Sequence, residues 1–237
     1  MENLTYPIRI NRYLALNNYC SRREADVLIG KKIVFINGQL AKIGDKVNEN
    51  DLVEVDLESR KAVKEYVYFA YNKPKGLMTN NDQMGEKSIK DVLNLPKDDF
   101  PVGRLDKDSY GLILLSNDGR LTGKLLSPEH DHEKEYIVKT KNKLRSSFKT
   151  KMEAGVKIGD EKTAKCKVEI INDHMFKIIL TEGKKHQIRR MCDTLFQEVE
   201  DLKRVRIMNI KLEKLPIGAQ REIKGEELKT FLHSLEL

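Results

Sequence analysis

Apolar positions at the start of the chain follow a helical period and then switch to strand-like runs. Residues 8–16, Ile-Arg-Ile-Asn-Arg-Tyr-Leu-Ala-Leu, have the spacing of a short helix, which Asn17 and Asn18 end. Ser21-Arg22-Arg23-Glu24 matches a capping box, in which the Ser21 hydroxyl and the Glu24 carboxylate each satisfy a free backbone N–H. A second helix then runs to about Gly30 with Ala25, Leu28 and Ile29 inward. Next come Ile33-Val34-Phe35-Ile36, the pair Asn37-Gly38, and an apolar segment over 39–43. Asn-Gly supplies two residues that tolerate positive φ, so this stretch predicts a hairpin. Turns at Gly44-Asp45 and Asn50-Asp51 precede a last strand over 52–55.

A polar stretch at 57–65, Leu-Glu-Ser-Arg-Lys-Ala-Val-Lys-Glu, reads as a linker. It divides the chain into a small N-terminal module, residues 1–60, and a larger domain, residues 61–237. In the larger domain the pattern predicts strands over 66–71, 111–115, 135–140, 166–171, 175–181 and 205–212. Asn72-Lys73-Pro74-Lys75-Gly76 predicts a turn, 80–85 a polar loop, 88–93 a short helix and 226–235 a C-terminal helix. From His186 onward the spacing becomes helical, with Ile188, Met191, Cys192, Leu195, Phe196 and Val199 on one apolar face. The fold class expected is α+β: a helix-helix-strand module, then a mixed, mostly antiparallel sheet with flanking helices.

Charge sharpens this picture. The net charge is +7, from 44 basic and 37 acidic side chains, which favours a polyanionic partner. The excess is concentrated early. Arg9, Arg12, Arg22, Arg23, Lys31 and Lys32 face only Glu24 and Asp26 over residues 9–32. Two adjacent basic helices suit phosphate contacts. Arg189 and Arg190 sit at the start of a predicted helix, where cations oppose the helix dipole, which points to an anion nearby. Three cysteines without a CxxC pair argue against a disulfide framework or a zinc site, and fit a reducing, cytoplasmic setting. The N-terminus lacks a signal-peptide core, and no apolar run is long enough for a membrane span. A monomer is expected.

The densest chemistry lies in Phe-Pro-Val-Gly-Arg-Leu-Asp-Lys-Asp-Ser-Tyr-Gly, residues 100–111. In an extended segment Arg104, Asp106 and Asp108 would share a face, with Leu105 buried and Lys107 opposite. A carboxylate beside an arginine stays ionised and can act on an electrophilic carbon; a surface ion pair is the plainer alternative. His130-Asp131-His132-Glu133 lacks further ligands at metal-site spacing, so no metal is expected. No glycine-rich phosphate loop is present, and no cofactor is expected.

Lys73-Pro74-x-Gly76, the stretch Gly-Arg-Leu-Asp-Lys-Asp-Ser-Tyr-Gly-Leu-Ile-Leu-Leu-Ser-Asn-Asp-Gly (103–119), Lys134-Glu135-Tyr136, and Glu-Gly-Lys-Lys-His-Gln-Ile-Arg-Arg-Met (182–191) occur in that order. Together they resemble the pseudouridine synthases of the RsuA/RluB/RluE/RluF family over nearly the whole chain. Residues 7–56 resemble the RNA-binding module first known from small-subunit ribosomal protein four. Ser-Arg-Arg-Glu-Ala-Asp (21–26) and Arg-Ile-Met-Asn (206–209) bring the chain nearest to a branch that acts on large-subunit ribosomal RNA. Tyr110, and Lys-Lys-His before Gln187, depart from the family pattern.

The resemblance implies isomerisation of a uridine in ribosomal RNA to pseudouridine, with a transfer RNA left open as a second substrate. It implies Asp106 as catalytic aspartate, Arg189 as its ion partner and Tyr136 as the active-site tyrosine. Ile188 would lie under the base, and Arg104 would hold the opened RNA. Lys73 reads as structural or phosphate-facing, and His186 as an RNA contact or loop cap. Whether the aspartate attacks the ribose or the reaction passes through a glycal stays open. The alternatives are a non-catalytic ribosome-assembly factor, which intact Asp106, Tyr136 and Arg189 argue against, and a glycosidase using Asp106 with Asp108.

Overall fold

A computed structural model describes residues 6–17, 19–56, 66–80, 85–93, 95–96, 99–127 and 131–237. The expected linker at 57–65, most of the polar loop at 80–85, Asn18 and His130 lie outside them. The described residues fall into two compact units. One comprises residues up to Tyr66 with Asp118–Gly123; the other comprises Val67–Asn117 and Lys124–Glu236.

The first unit runs β1 (Ile8–Arg9), α1 (Ile10–Leu16), α2 (Arg22–Gly30), β2 (Val34–Ile36), β3 (Gln39–Leu40), β4 (Lys46–Val47) and β5 (Val53–Val55). The capping box forms at the head of α2: Glu24 N–H donates to Ser21 Oγ at 3.3 Å, and Ser21 N–H donates to a Glu24 carboxylate oxygen at 2.9 Å. Ala25, Leu28 and Ile29 of α2 join Ile10, Leu14, Val34 and Val47 in one core. Asn37 and Gly38, at φ 50° and 75°, turn β2 into β3. Residues 8–9 belong to a strand and not to the predicted helix. They pair with β4, a strand too short to leave an alternation pattern. Arg9, Arg12, Arg22, Arg23, Lys31 and Lys32 are all exposed.

The second unit contains β6 (Tyr68–Lys73), α3 (Ile89–Leu93), β7 (Phe100–Val102), β8 (Tyr110–Ser116), the end of α4 (Arg120–Leu126), whose first four residues belong to the first unit, β9 (Lys134–Thr140), α5 (Phe148–Glu153), β10 (Lys157–Ile158), β11 (Glu161–Lys162), β12 (Lys167–Asn172), β13 (Met175–Leu180), α6 (Gln187–Thr194), β14 (Val199–Ile207), β15 (Ile210–Lys211), β16 (Gln220–Glu222) and α7 (Gly225–His233). Its main sheet has the order β12-β13-β9-β14-β8-β6-β16, with β7 on β8 and β15 on β14. Every pairing in it is antiparallel except β14 with β8. The α+β expectation and the mostly antiparallel sheet therefore hold. Below α6 lies a core of Val138, Phe148, Phe176, Ile178, Ile188 and Met191. A second cluster joins Tyr71, Leu77, Ile89, Ile113 and Leu115.

Four expectations change. The single strand expected over 205–212 is the end of β14, a turn at 208–209 and β15 paired back on it, so the apolar run hides a hairpin. Asn72 and Lys73 belong to β6, and the turn begins only at Pro74, where proline has no N–H to give to a ladder. The helix from His186 stops at Thr194; Phe196 is 73% exposed, and Val199 opens β14. Residues 104–109 are a turn and not a strand, so alternation does not place Arg104, Asp106 and Asp108. Leu105 is nevertheless buried.

The parallel contact between β8 and β14 depends on Gly111. Its φ is 104°, and a Cβ there would meet the Arg204 carbonyl oxygen at 2.2 Å. Gly111→Ala is expected to destabilise the protein by about 3–5 kcal/mol through left-handed strain and overpacking together. A urea midpoint equal to that of the unsubstituted protein would refute this close approach.

Candidate active site

The turn that carries Asp106 is held from several sides. The Thr79 hydroxyl donates to the Leu105 carbonyl at 2.7 Å and accepts from the Leu105 N–H at 3.0 Å, both buried. Gly76 N–H donates to the Lys107 carbonyl at 2.9 Å, and Ser109 N–H to the Asp106 carbonyl at 3.0 Å. Lys107 Nζ pairs with Glu86 at 2.6 Å. These bonds fix the backbone on both sides of Asp106 and so the direction in which its Cβ leaves the chain.

Sheet register sets the floor. Tyr136 pairs with Ile178 on one side and with Arg204 on the other. Arg204 pairs with Gly111, and Gly111 with Lys73. Directly paired residues point to the same face, so Ile178, Tyr136, Arg204 and Lys73 form a lateral row, with a gap at Gly111. The row runs from apolar to cationic. Tyr136 is half-buried and packs on the core that includes Ile188.

Two cations at the far end of the row are almost wholly buried. Arg204 donates from Nε to the Leu112 carbonyl at 2.6 Å and from Nη1 to the Arg104 carbonyl at 3.5 Å. Its Nη2 has no hydrogen-bond partner among the described residues. Lys73, fully buried, donates to the carbonyls of Leu77 at 2.7 Å and Pro74 at 3.0 Å. Burial pushes its ammonium down to about 8, with Arg204 acting in the same direction and Asp106 and Asp108 opposing. Lys73 is thus structural and does not face solvent phosphate.

His186 Nε2 lies 3.6 Å from Asp106 Oδ1. His186 precedes α6 in a left-handed conformation at φ 52°. Arg189, in the first turn of α6, reaches the same segment by a different route. It donates to the Asp108 carbonyl at 3.2 Å, to Ser109 Oγ at 3.4 Å and to the Val199 carbonyl at 3.5 Å. Arg189 therefore braces the turn through its backbone and does not pair with the carboxylate. Arg190 likewise donates to a backbone carbonyl, that of Ile158. Backbone acceptors, and not an anion, meet these helix-start cations. Arg104 and Asp108 are exposed.

Tyr110 ties the two central strands together. Its hydroxyl donates to Asp201 at 2.5 Å, Lys75 pairs with the same carboxylate, and Lys75 and Lys203 flank the ring. Burial first, then Asp201, pushes the phenol up to about 12.

A carboxylate on a braced turn, a half-buried tyrosine, an apolar isoleucine and basic side chains at the rim suit a planar apolar ring attached to a carbon that develops positive charge. Residues 67–194 match the RNA pseudouridylate synthase family model, and residues 8–53 match the S4 domain model. The chain belongs to the RNA pseudouridylate synthase family. The synthase is 43% identical over 97% of its length to the dual-specificity RNA pseudouridine synthase RluF of Escherichia coli (strain K12), covering 80% of that protein. It is 33% identical to ribosomal large subunit pseudouridine synthase B of Bacillus subtilis (strain 168), covering 93% of this chain and 94% of that one. A solved pseudouridylate synthase shares its fold at a TM-score of 0.70 and 28% identity, covering 96% of this chain and 99% of that one. The enzyme is accordingly an isomerase with an N-terminal RNA-binding module.

Sequence reading missed Thr79, Arg204 and the closeness of His186 to Asp106. Thr79 and Arg204 lie far from Asp106 along the chain, and only strand register brings Arg204 alongside. Among the described residues no three His, Cys, Asp or Glu side chains converge as metal ligands. No described helix is long and apolar enough to cross a membrane.

The buried Lys73 predicts a pH effect. Between pH about 8 and 10.5 the unfolded chain holds a proton at Lys73 that the folded protein has released. Stability from this group therefore rises with pH across that window. Relative to Lys73→Met, the unsubstituted synthase should gain up to about 3 kcal/mol between pH 8 and pH 10.5, from the same shift at about 1.4 kcal/mol per unit. Parallel urea titrations at the two pH values check this; a constant difference would remove the buried ammonium from the account.

Proposed function

We propose that the synthase isomerises a specific uridine of large-subunit ribosomal RNA, with Asp106 meeting the anomeric carbon of a flipped-out nucleotide. The observation that carries this reading is the lateral row Ile178–Tyr136–Arg204–Lys73 beside the braced Asp106 turn. A base laid on Tyr136 and Ile188 would bring its ribose toward Asp106. Breakage of the N1–C1′ bond sends the electron pair to uracil N1. The carboxylate then bonds C1′, or stabilises it while the proton on C2′ is lost to give a glycal. The uracil turns and C5 bonds C1′ as the C1′–carboxylate bond breaks and its electron pair returns to Asp106, or, on the glycal route, as C2′ regains its proton; the C5 proton then leaves and N1 is protonated, so the reaction is redox-neutral and uses no activated donor. Tyr136 supports the base in this reading and assists that last proton transfer. Arg189 acts by holding the turn, and Arg104 contacts the opened RNA strand.

The sequence likeness to a relative named for the ribosomal large subunit supports the substrate class. The enzyme would work in the cytoplasm as a monomer, without metal or cofactor. Arg9, Arg12, Arg22, Arg23, Lys31 and Lys32, exposed on the first unit, would supply phosphate contacts.

Asp106→Asn should abolish tritium release from C5-labelled ribosomal RNA and change RNA affinity by less than about twofold, because phosphates carry most of the affinity. Turnover by this variant would take Asp106 out of the reaction. The combined change Arg12→Gln, Arg22→Gln and Arg23→Gln should lower the slope of log affinity against log salt by about 2–3 units. Filter binding at several salt concentrations reads this slope, and an unchanged slope would exclude these residues from the substrate contact.

A further inference from the structure

The end of α6 carries a side chain that neither packing nor local geometry explains. Gln197 N–H donates to the Cys192 carbonyl and Phe196 N–H to the Asp193 carbonyl, both at 2.9 Å. That pair of bonds is a Schellman motif, and Phe196 occupies its left-handed position at φ 59°. Glycine is favoured there because it lacks a Cβ. The phenylalanine gains little burial in return, since it is 73% exposed.

The surroundings are basic. Residues 139–151, Lys-Thr-Lys-Asn-Lys-Leu-Arg-Ser-Ser-Phe-Lys-Thr-Lys, contain six cations and no carboxylate. Lys139, Lys141 and Lys143 are matched by Glu200, Glu198 and Asp173. Among the described residues, no carboxylate pairs with Arg145, Lys149 or Lys151. The Arg145 guanidinium lies 5.4 Å from the Phe196 ring centre. Arg145, Lys151 and Phe196 line a shallow pocket with Phe148, Thr194 and Leu195. Phe196 also lines a second, open hollow with Asp193 and Glu198, the latter already paired with Lys141.

We propose that Phe196, Arg145 and Lys151 form an accessory RNA contact, in which an unpaired base stacks on the Phe196 ring and flanking phosphates meet the two cations. Base stacking on an exposed aromatic beside arginine is a sequence-tolerant way to hold single-stranded RNA. The contact rests on RNA being the substrate and does not depend on which uridine is modified. One helix joins it to the reacting site: α6 carries Arg189 in its first turn and Phe196 just past its end. Eight residues of helix span about 12 Å at 1.5 Å per residue, or about three to four stacked nucleotides.

Phe196→Gly separates this contact from a structural role, because the two predict opposite signs. The substitution removes left-handed strain, so the midpoint of thermal unfolding should hold or rise. Affinity for an unmodified large-subunit ribosomal RNA transcript should fall about tenfold. Arg145→Gln with Lys151→Gln should lower the salt slope by about 2 units. Both sets are measured by filter binding in the Asp106→Asn background, so the outcome does not depend on the catalytic assignment. Crosslinking of the same transcript carrying 4-thiouridine should label the peptide containing Phe196. Unchanged affinity and slope would overturn the proposal. So would a lower unfolding midpoint for Phe196→Gly, which would make the ring a packing group.

Discussion

The contact between β8 and β14 is parallel in a sheet whose other pairings are antiparallel, and it is held at Gly111. Parallel strands cannot be joined by a tight turn, so the chain between them must leave the sheet and return. Here that excursion contains β9, β12, β13 and α6, and with them Tyr136, Ile178, Ile188 and Arg189. When β14 returns, the register with β8 puts Arg204 opposite Gly111 and Tyr136 opposite Arg204. A one-residue slip would send Arg204 to the other face and bring Lys203 into its place. The backbone approach at one glycine thus fixes both the sheet topology and the identity of the side chains beside the Asp106 turn.

Electrostatics around the Asp106 turn follow from that constraint. Burying Arg204 and Lys73 costs free energy unless their donors are satisfied. Carbonyls meet most of them: Leu112 and Arg104 for Arg204, Leu77 and Pro74 for Lys73. Carbonyl dipoles leave the positive charge unneutralised, unlike a carboxylate partner. The field of two buried cations therefore extends to Asp106 and Asp108, as their opposing effect on Lys73 reflects. His186 adds a third basic group on the open side.

What sequence made legible follows the range of the interactions. The Ser21–Glu24 capping box and the Asn37-Gly38 turn are local devices, and both form as read. The strand after Asp106 was legible from its apolar run. The helix from His186 was overextended because Leu195, Phe196 and Val199 continue the helical spacing, while the left-handed Phe196 that ends the helix carries no glycine to announce it. Strict alternation failed over 104–108 because Thr79 and Gly76, distant in sequence, hold that segment as a turn. The motif residues themselves could be named without coordinates. Their partners could not, since Arg204 reaches the site only through register.

The same distinction separates affinity from chemistry in this enzyme. Phosphate contacts need exposed, mobile cations, and the first unit offers six of them without fixing any in a buried bond network. Such groups release counterions on binding and give affinity that salt erodes. The Asp106 turn is built in the opposite way: buried hydrogen bonds fix its backbone, and its geometry survives changes in ionic strength. Arg189 illustrates the second kind, since its guanidinium is spent on backbone carbonyls of the Asp106 turn and on Val199. A basic residue inside a conspicuous motif can therefore serve the substrate indirectly, by stiffening the segment that meets it.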